Sequence, residues 1–154
     1  MQVLSQLLTP GRTLCRAPGS SKKKLFETFS ELFATDCPEL VQAEVFSQLI
    51  ARERLGSTGL GGGIAIPHCR IPGCAEPLAA LVTLEEAIDF DAPDDVPVDL
   101  LCVLLVPDQA HQEHLDILAR IARLFSQPAF CEALRSAASR EQLFSTATEW
   151  DRQE

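Results

Sequence analysis

Apolar and polar positions change rhythm several times along the chain, and each rhythm predicts an element. Leu25, Phe26, Phe29, Leu32 and Phe33 recur at helical spacing and define one buried helical face. The lysine run Lys22 to Lys24 opens that helix, with Ser20 or Ser21 as its N-cap. Asp36 and Pro38 restart the chain, and a second helix from about Glu39 to Leu55 aligns Val41, Val45, Leu49 and Ile50 before Gly56 ends it. Short apolar runs follow. Ile64 to Ile66 reads as a strand closed by Pro67, which delivers His68 at its carboxyl end. Leu78 to Leu84 is a second strand, and the unbroken run Leu100 to Val106 implies a third, buried on both faces. Helical spacing returns over roughly Gln109 to Phe125, with Leu118, Ile121 and Phe125 on one stripe. Two shorter helices complete the chain, one near Pro128 to Ala137 and one from Ser139, where Ser139 and Gln142 form a capping-box pattern. Strands and helices interleave, so the predicted class is α/β in one layered domain.

Between these elements the pattern is irregular. Residues 9–20 (TPGRTLCRAPGS) read as a lead-in segment, and residues 86–99 (EAIDFDAPDDVPVD) read as a solvated acidic loop. The run Gly56 to Gly63 has glycine at five of its eight positions, which opens backbone conformations closed to other residues. The N-terminal Val3, Leu4, Leu7 and Leu8 are interrupted by Ser5 and Gln6 and stopped by Pro10, too short a run for a secretory leader or a membrane span.

Composition narrows the classes. A chain of 154 residues is one domain's worth, and 46% hydrophobic with 23% charged residues is ordinary globular usage. Lysine and arginine total 13 against 22 acidic residues, a net charge of -9 that repels a phosphate backbone, so no nucleic-acid partner is expected. Six cysteines without a CxxC, and no leader, point to a reducing, cytoplasmic setting and no membrane partner.

The candidate chemistry gathers around the histidines. His68 follows a glycine-rich loop and a strand, the kind of place where ligand chemistry collects in open α/β sheets. His114, near the start of the 109–125 helix, shares the inward face with Leu118 and can reach the strand ends. For either residue alone, a histidine capped against backbone carbonyls is the plainer alternative. His111 and His114 make an HxxH pair, but a zinc site wants three or four tightly spaced ligands, and no metal or other cofactor is expected. The loop GSTGLGGG lacks both GxxxxGK[ST] and GxGxxG. It offers Ser57, Thr58 and the backbone at Gly59 as donors toward a phosphoryl oxygen near His68, or else is a mobile connection. Arg52 and Arg54, at the end of the second helix, could clamp phosphoryl oxygens or neutralise the helix dipole. Cys69 has no third partner to orient a Cys and His pair, so it reads as a neighbour of the site. A strand-end histidine, a helix histidine, an arginine and a polar glycine loop together describe a site for holding a phosphoryl group on imidazole.

Residues 51–71, ARERLGSTGLGGGIAIPHCRI, closely resemble the phosphorylation-site signature of the mannitol/fructose-type enzyme IIA domains of the bacterial phosphotransferase system. Residues 89–125, DFDAPDDVPVDLLCVLLVPDQAHQEHLDILARIARLF, look like that family's second block. The similarity runs from about Leu4 through Phe144, and the LGSTGLGGGIAIPH wording is most similar to the nitrogen-regulatory branch. The resemblance implies a mixed, mostly parallel sheet flanked by helices, and a single type-2 IIA domain over 1–154 with a core of about 4–147. It implies that His68 accepts a phosphoryl group, as a tele-phosphohistidine, from an HPr-like carrier of the nitrogen type. His114 matches the supporting histidine and Arg52 the active-site arginine. Cys69 stands where many relatives have glycine, and no role carries over to His111. The expected function is a phosphocarrier that regulates target proteins by its phosphorylation state. The alternatives are a sugar-specific IIA handing phosphate to a IIB partner, an interaction module that is never phosphorylated, and a metal-binding protein.

Overall fold

Two strands of strongly apolar sequence organise the molecule. In the computed structural model, which describes residues 3–19, 21–109 and 111–153, β5 (Leu78–Ile88) and β6 (Val98–Pro107) pair antiparallel at the middle of a six-stranded sheet. On the far side of β5 lies β1 (Thr13–Ala17), parallel to it. On the far side of β6 lie β3 (Ile64–Ala65) and β4 (His68–Ile71), both parallel to β6, and β2 (Gly59–Gly61) closes that edge antiparallel to β3. The sheet is thus mixed. The connection between the parallel strands β1 and β5 carries two helices, whereas β3 and β4 reach their parallel neighbour β6 by way of β5 itself.

Residue parity along β6 sorts the core into two layers, because successive side chains on a strand point to opposite faces. Leu100, Cys102, Leu104 and Val106 pack with α1 (Leu4–Leu7), α4 (Gln112–Phe125), α5 (Pro128–Ser136) and α6 (Arg140–Gln153). Leu101, Val103 and Leu105 pack on the other face with α2 (Lys22–Asp36) and α3 (Gln42–Leu55). All seven are fully buried, as an apolar run covered on both faces must be.

Helix starts follow the expected chemistry. The Ser21 hydroxyl accepts from the Lys24 N–H at 3.1 Å, capping α2; Ser20 lies outside the described residues. The Ser139 hydroxyl accepts from the Gln142 N–H at 3.1 Å, while Gln142 Oε1 accepts from the Ala138 N–H at 2.9 Å, a box closed one residue earlier than the usual one. The second helix begins at Gln42 rather than Glu39, so Val41 precedes it and is 60% exposed instead of on the apolar stripe.

Other segments depart further from the sequence expectation. The lead-in segment holds a 3-10 turn (Pro10–Arg12) and β1, anchored by a buried arginine. Arg12 donates to the Leu7 carbonyl at 2.7 Å and the Ala79 carbonyl at 3.0 Å, and its guanidinium pairs with Asp36. The glycine run is a β2–β3 hairpin rather than a mobile connection. The acidic loop is shorter than 86–99, since β5 runs to Ile88 and both Phe90 and Val98 are fully buried. It also clasps the hairpin. Asp94 accepts the Gly62 N–H at 2.9 Å, and Arg135 bridges Asp99 and the Gly62 carbonyl at 3.0 and 2.9 Å.

Candidate functional site at the paired histidines

Pro67 interrupts the ladder without ending the strand. Ile64 pairs with Leu100, Ala65 with Leu101 and His68 with Leu104, one constant offset, so β3 and β4 follow β6 as a single interrupted strand. The Pro67 carbonyl still accepts the Leu104 N–H, at 2.9 Å. His68 therefore opens β4, in the middle of this path, rather than standing at a strand's carboxyl end.

Register decides what His68 meets. Partners in a parallel pair share a face, so His68 lies on the face of Leu104, toward α4, and Cys69 lies on the face of Leu105, toward α3. His114 sits in the first turn of α4 on that same side, and the two imidazole centroids are 5.5 Å apart with the rings inclined at 70°. Sequence positions 46 apart become one site.

The state of each ring follows from its contacts. His68 Nδ1 lies 2.8 Å from the Ile66 carbonyl oxygen, which can only accept, so the neutral ring carries its proton on Nδ1 and leaves the Nε2 lone pair available. Burial lowers the His68 pKa first of all; the Ile66 hydrogen bond and Glu53 oppose this, and Arg52 reinforces it. His114 is buried, and among the described residues neither of its ring nitrogens has a hydrogen-bond partner. Its pKa is also lowered, by burial first and then by His68 and Arg70. Two neutral imidazoles side by side are the expected state at neutral pH, one of them oriented as a nucleophile.

The other expected site residues are placed as follows. Arg52 Nη1 donates to the Gly56 carbonyl at 3.0 Å, closing the end of α3, while its charge still acts on His68. The hydroxyls of Ser57 and Thr58 are already engaged: Ser57 Oγ donates to the Phe90 carbonyl at 2.9 Å, and Thr58 Oγ1 donates to Glu53 Oε1 at 2.7 Å. The Gly59 N–H donates to Ser57 Oγ at 3.1 Å, so this donor turns into the loop as well. Arg54 is exposed and lines a cleft with Lys22, Lys23 and Phe46. His111 is exposed at the N-cap position of α4, away from the buried setting of His114. Among the described residues no group of three or more His, Cys, Asp or Glu side chains is placed to hold a metal ion. The cysteine beside His68 is buried and its thiol is pushed up to about 12, chiefly by burial, which removes the thiolate a nucleophile would need.

One residue went unnoticed in the sequence. Glu53 is buried between the two arginines of the ARER run, and its carboxylate takes both the N–H and the hydroxyl of Thr58 and the ammonium of Lys22 at 2.7 Å. An acidic residue on a helix with no apolar neighbour at i+1 looks solvated; only tertiary contact with the loop reveals it. A larger groove of about 810 Å³ runs between the hairpin and α4 and α5, lined by Leu60, Ile64 and Phe125, and includes neither histidine.

Known proteins define the class. The profile of the family described as the phosphoenolpyruvate-dependent sugar phosphotransferase system, EIIA 2, matches residues 6–149, a span that includes both histidines. The nitrogen regulatory protein of Pseudomonas aeruginosa is 50% identical over 92% of this chain and 92% of its own length. The crystal structure of nitrogen regulatory protein IIA-Ntr from Neisseria meningitidis superposes with a TM-score of 0.87 at 40% identity, covering 94% of this chain and 99% of that one. The crystal structure of IIA mannitol from Escherichia coli shares the fold, with a TM-score of 0.75 at 16% identity over 91% of this chain and 98% of that one. The chain belongs to the EIIA 2 family of the phosphotransferase system.

Proposed function

We propose that the protein is a phosphohistidine phosphocarrier of the nitrogen-type phosphotransferase system, one domain over residues 1–154, whose phosphorylation at His68 governs its binding to regulatory targets. The observation that carries this reading is the Nδ1 contact of His68 with the Ile66 carbonyl, which leaves Nε2 as the nucleophilic nitrogen beside a second buried imidazole. Relatives at 40 to 50% identity are nitrogen regulatory proteins, whereas the mannitol IIA likeness at 16% extends to the fold alone, so a sugar-transport role is less favoured.

In the transfer step the Nε2 lone pair attacks the phosphorus of a phosphohistidine on an HPr-like carrier. The new N–P bond forms as the carrier's N–P bond breaks, and the electron pair returns to the carrier's imidazole. His68 gains positive character, which the Ile66 carbonyl takes up through Nδ1–H. In this reading His114, whose ring lies beside His68, donates to a phosphoryl oxygen, and the Arg52 charge favours the developing negative charge on the phosphoryl group. The burial that keeps His68 unprotonated keeps the nucleophile available.

The test is reconstitution with phosphoenolpyruvate, the general phosphotransferase enzyme and a nitrogen-type HPr. One acid-labile phosphate per chain is expected, absent from His68→Ala. Undiminished labelling of that variant would overturn the assignment. Pull-downs with phosphorylated and unphosphorylated protein side by side then identify targets, and transfer to a purified IIB partner would favour the sugar-specific alternative.

A further inference from the structure

Four hydrogen-bonding steps link the start of α2 to the reactive imidazole. Lys22 Nζ lies 2.7 Å from Glu53 Oε2 and also donates to the Phe90 carbonyl at 3.1 Å. Glu53 receives the Thr58 N–H at 3.1 Å and the Thr58 hydroxyl at 2.7 Å. The Thr58 carbonyl receives the Ile66 N–H at 3.0 Å, and the Ile66 carbonyl receives the His68 Nδ1–H at 2.8 Å. We propose that Glu53 is the positioning residue of this site: by fixing Thr58 it fixes the Ile66 carbonyl that selects the His68 tautomer, and so keeps Nε2 as the nucleophile.

Two observations separate this role from simple bracing. The chain of bonds runs through a glycine-rich hairpin, where Gly61, Gly62 and Gly63 all have positive φ and the backbone has little stiffness of its own. An imidazole held by a carbonyl on such a segment is only as well oriented as the group that orders the segment. The Glu53 charge also acts on His68, favouring its charged form against Arg52. Arg52 and Glu53 act on that ring through their charges, and His114, on which Arg70 also acts, lies against it, so removal of the Glu53 charge changes the electrostatics as well as the geometry.

The kinetic part of this inference rests on His68 being the phosphoryl acceptor; the tautomeric part does not. Long-range proton–nitrogen correlation spectra of the unphosphorylated protein, with nitrogen-labelled histidine, report which ring nitrogen carries the proton. Wild type should show it on Nδ1. Glu53→Gln should populate the Nε2–H tautomer, lower the His68 titration midpoint and slow phosphoryl acceptance by about tenfold or more. Thr58→Val, which keeps the backbone N–H and loses the hydroxyl, should fall between the two and decides the matter if Glu53→Gln does not fold. Variants that melt earlier yet keep the wild-type tautomer and transfer rate would overturn the proposal, as would a shifted tautomer with wild-type transfer. If wild type accepts no phosphoryl group, the functional reading fails, and the tautomer comparison still decides the role of Glu53.

Discussion

Glu53 and His114 are both 8% exposed, and they are bonded in opposite ways. Glu53 accepts from the N–H and hydroxyl of Thr58 and pairs with Lys22, whose ammonium lies 4.4 Å from the centre of the Phe90 ring. His114 presents two buried nitrogens with no partner among the described residues. A buried polar group costs little when bonded and of the order of 1–3 kcal/mol when not. The protein bears that cost on the helix facing His68 and avoids it on the opposite side of the strand. The difference teaches that the two groups serve separate ends: Glu53 is complete within the free protein, whereas His114 keeps unused bonding capacity, which the proposed phosphoryl transfer would employ.

Substitutions can break this contrast. The largest effect is expected from His114→Leu, which fills similar volume without polar atoms. Phosphoryl transfer should fall by about a hundredfold or more, while thermal unfolding stays near wild type or rises, as expected where an unsatisfied polar group is removed. A matching loss of stability would place His114 in the scaffold instead. Glu53→Ala should behave in reverse on stability, costing about 3 kcal/mol in denaturant unfolding, because it leaves Lys22 and Thr58 without their partner.

A smaller effect is predicted for pH. The folded-state pKa values of His68 and His114 lie below the ordinary histidine value, so the unfolded chain binds more protons as the solution is acidified. The contribution of both rings is complete above about pH 6.5 and is lost as the pH falls through the folded values. Urea midpoints measured down this range should drop for wild type and drop less for His114→Leu. Arg52→Ala should leave the fold intact, with a few tenths of a kcal/mol lost from the helix end, and should slow transfer. Normal transfer would reduce Arg52 to a helix-end donor. The smallest expected signal is alkylation of Cys69, whose buried, high-pKa thiol should stay unmodified by mass spectrometry while the chain is folded.

The parts of this arrangement that could be read from residue order were those with a strong period. β6, the core of β5, and the helices bearing Phe29 and Ile121 follow from apolar spacing alone, whereas the meeting of His68 and His114 depends on the register of β4 against β6. The missed strands share a physical reason. β1 contains Arg16 at φ 52° and follows Pro10 and Gly11, β2 is two glycines around Leu60, and β4 follows a proline. Each is held by its neighbour's ladder rather than by its own propensity. Phe90 was hidden among aspartates, and Glu53 among arginines, because local polarity does not reveal a distant partner such as Lys22. The chain order offers the Ser57 and Thr58 hydroxyls as donors beside His68, but their engagement with the Phe90 carbonyl and with Glu53 is a tertiary matter.

The meeting of α1 and α6 has a consequence for how the molecule is made. The Ser5 N–H reaches Asp151 Oδ2 at 3.2 Å across 146 residues, and Leu4 and Leu7 share one core with Leu143 and Ala147. On a ribosome that releases residues in order, α1 therefore waits for nearly the whole of this domain before its seat exists. The β5–β6 hairpin has its own partner within 30 residues and can form long before. Synthesis should consequently yield a nascent chain whose central ladder resists protease early, and whose first helix becomes protected only after α6 has cleared the exit tunnel.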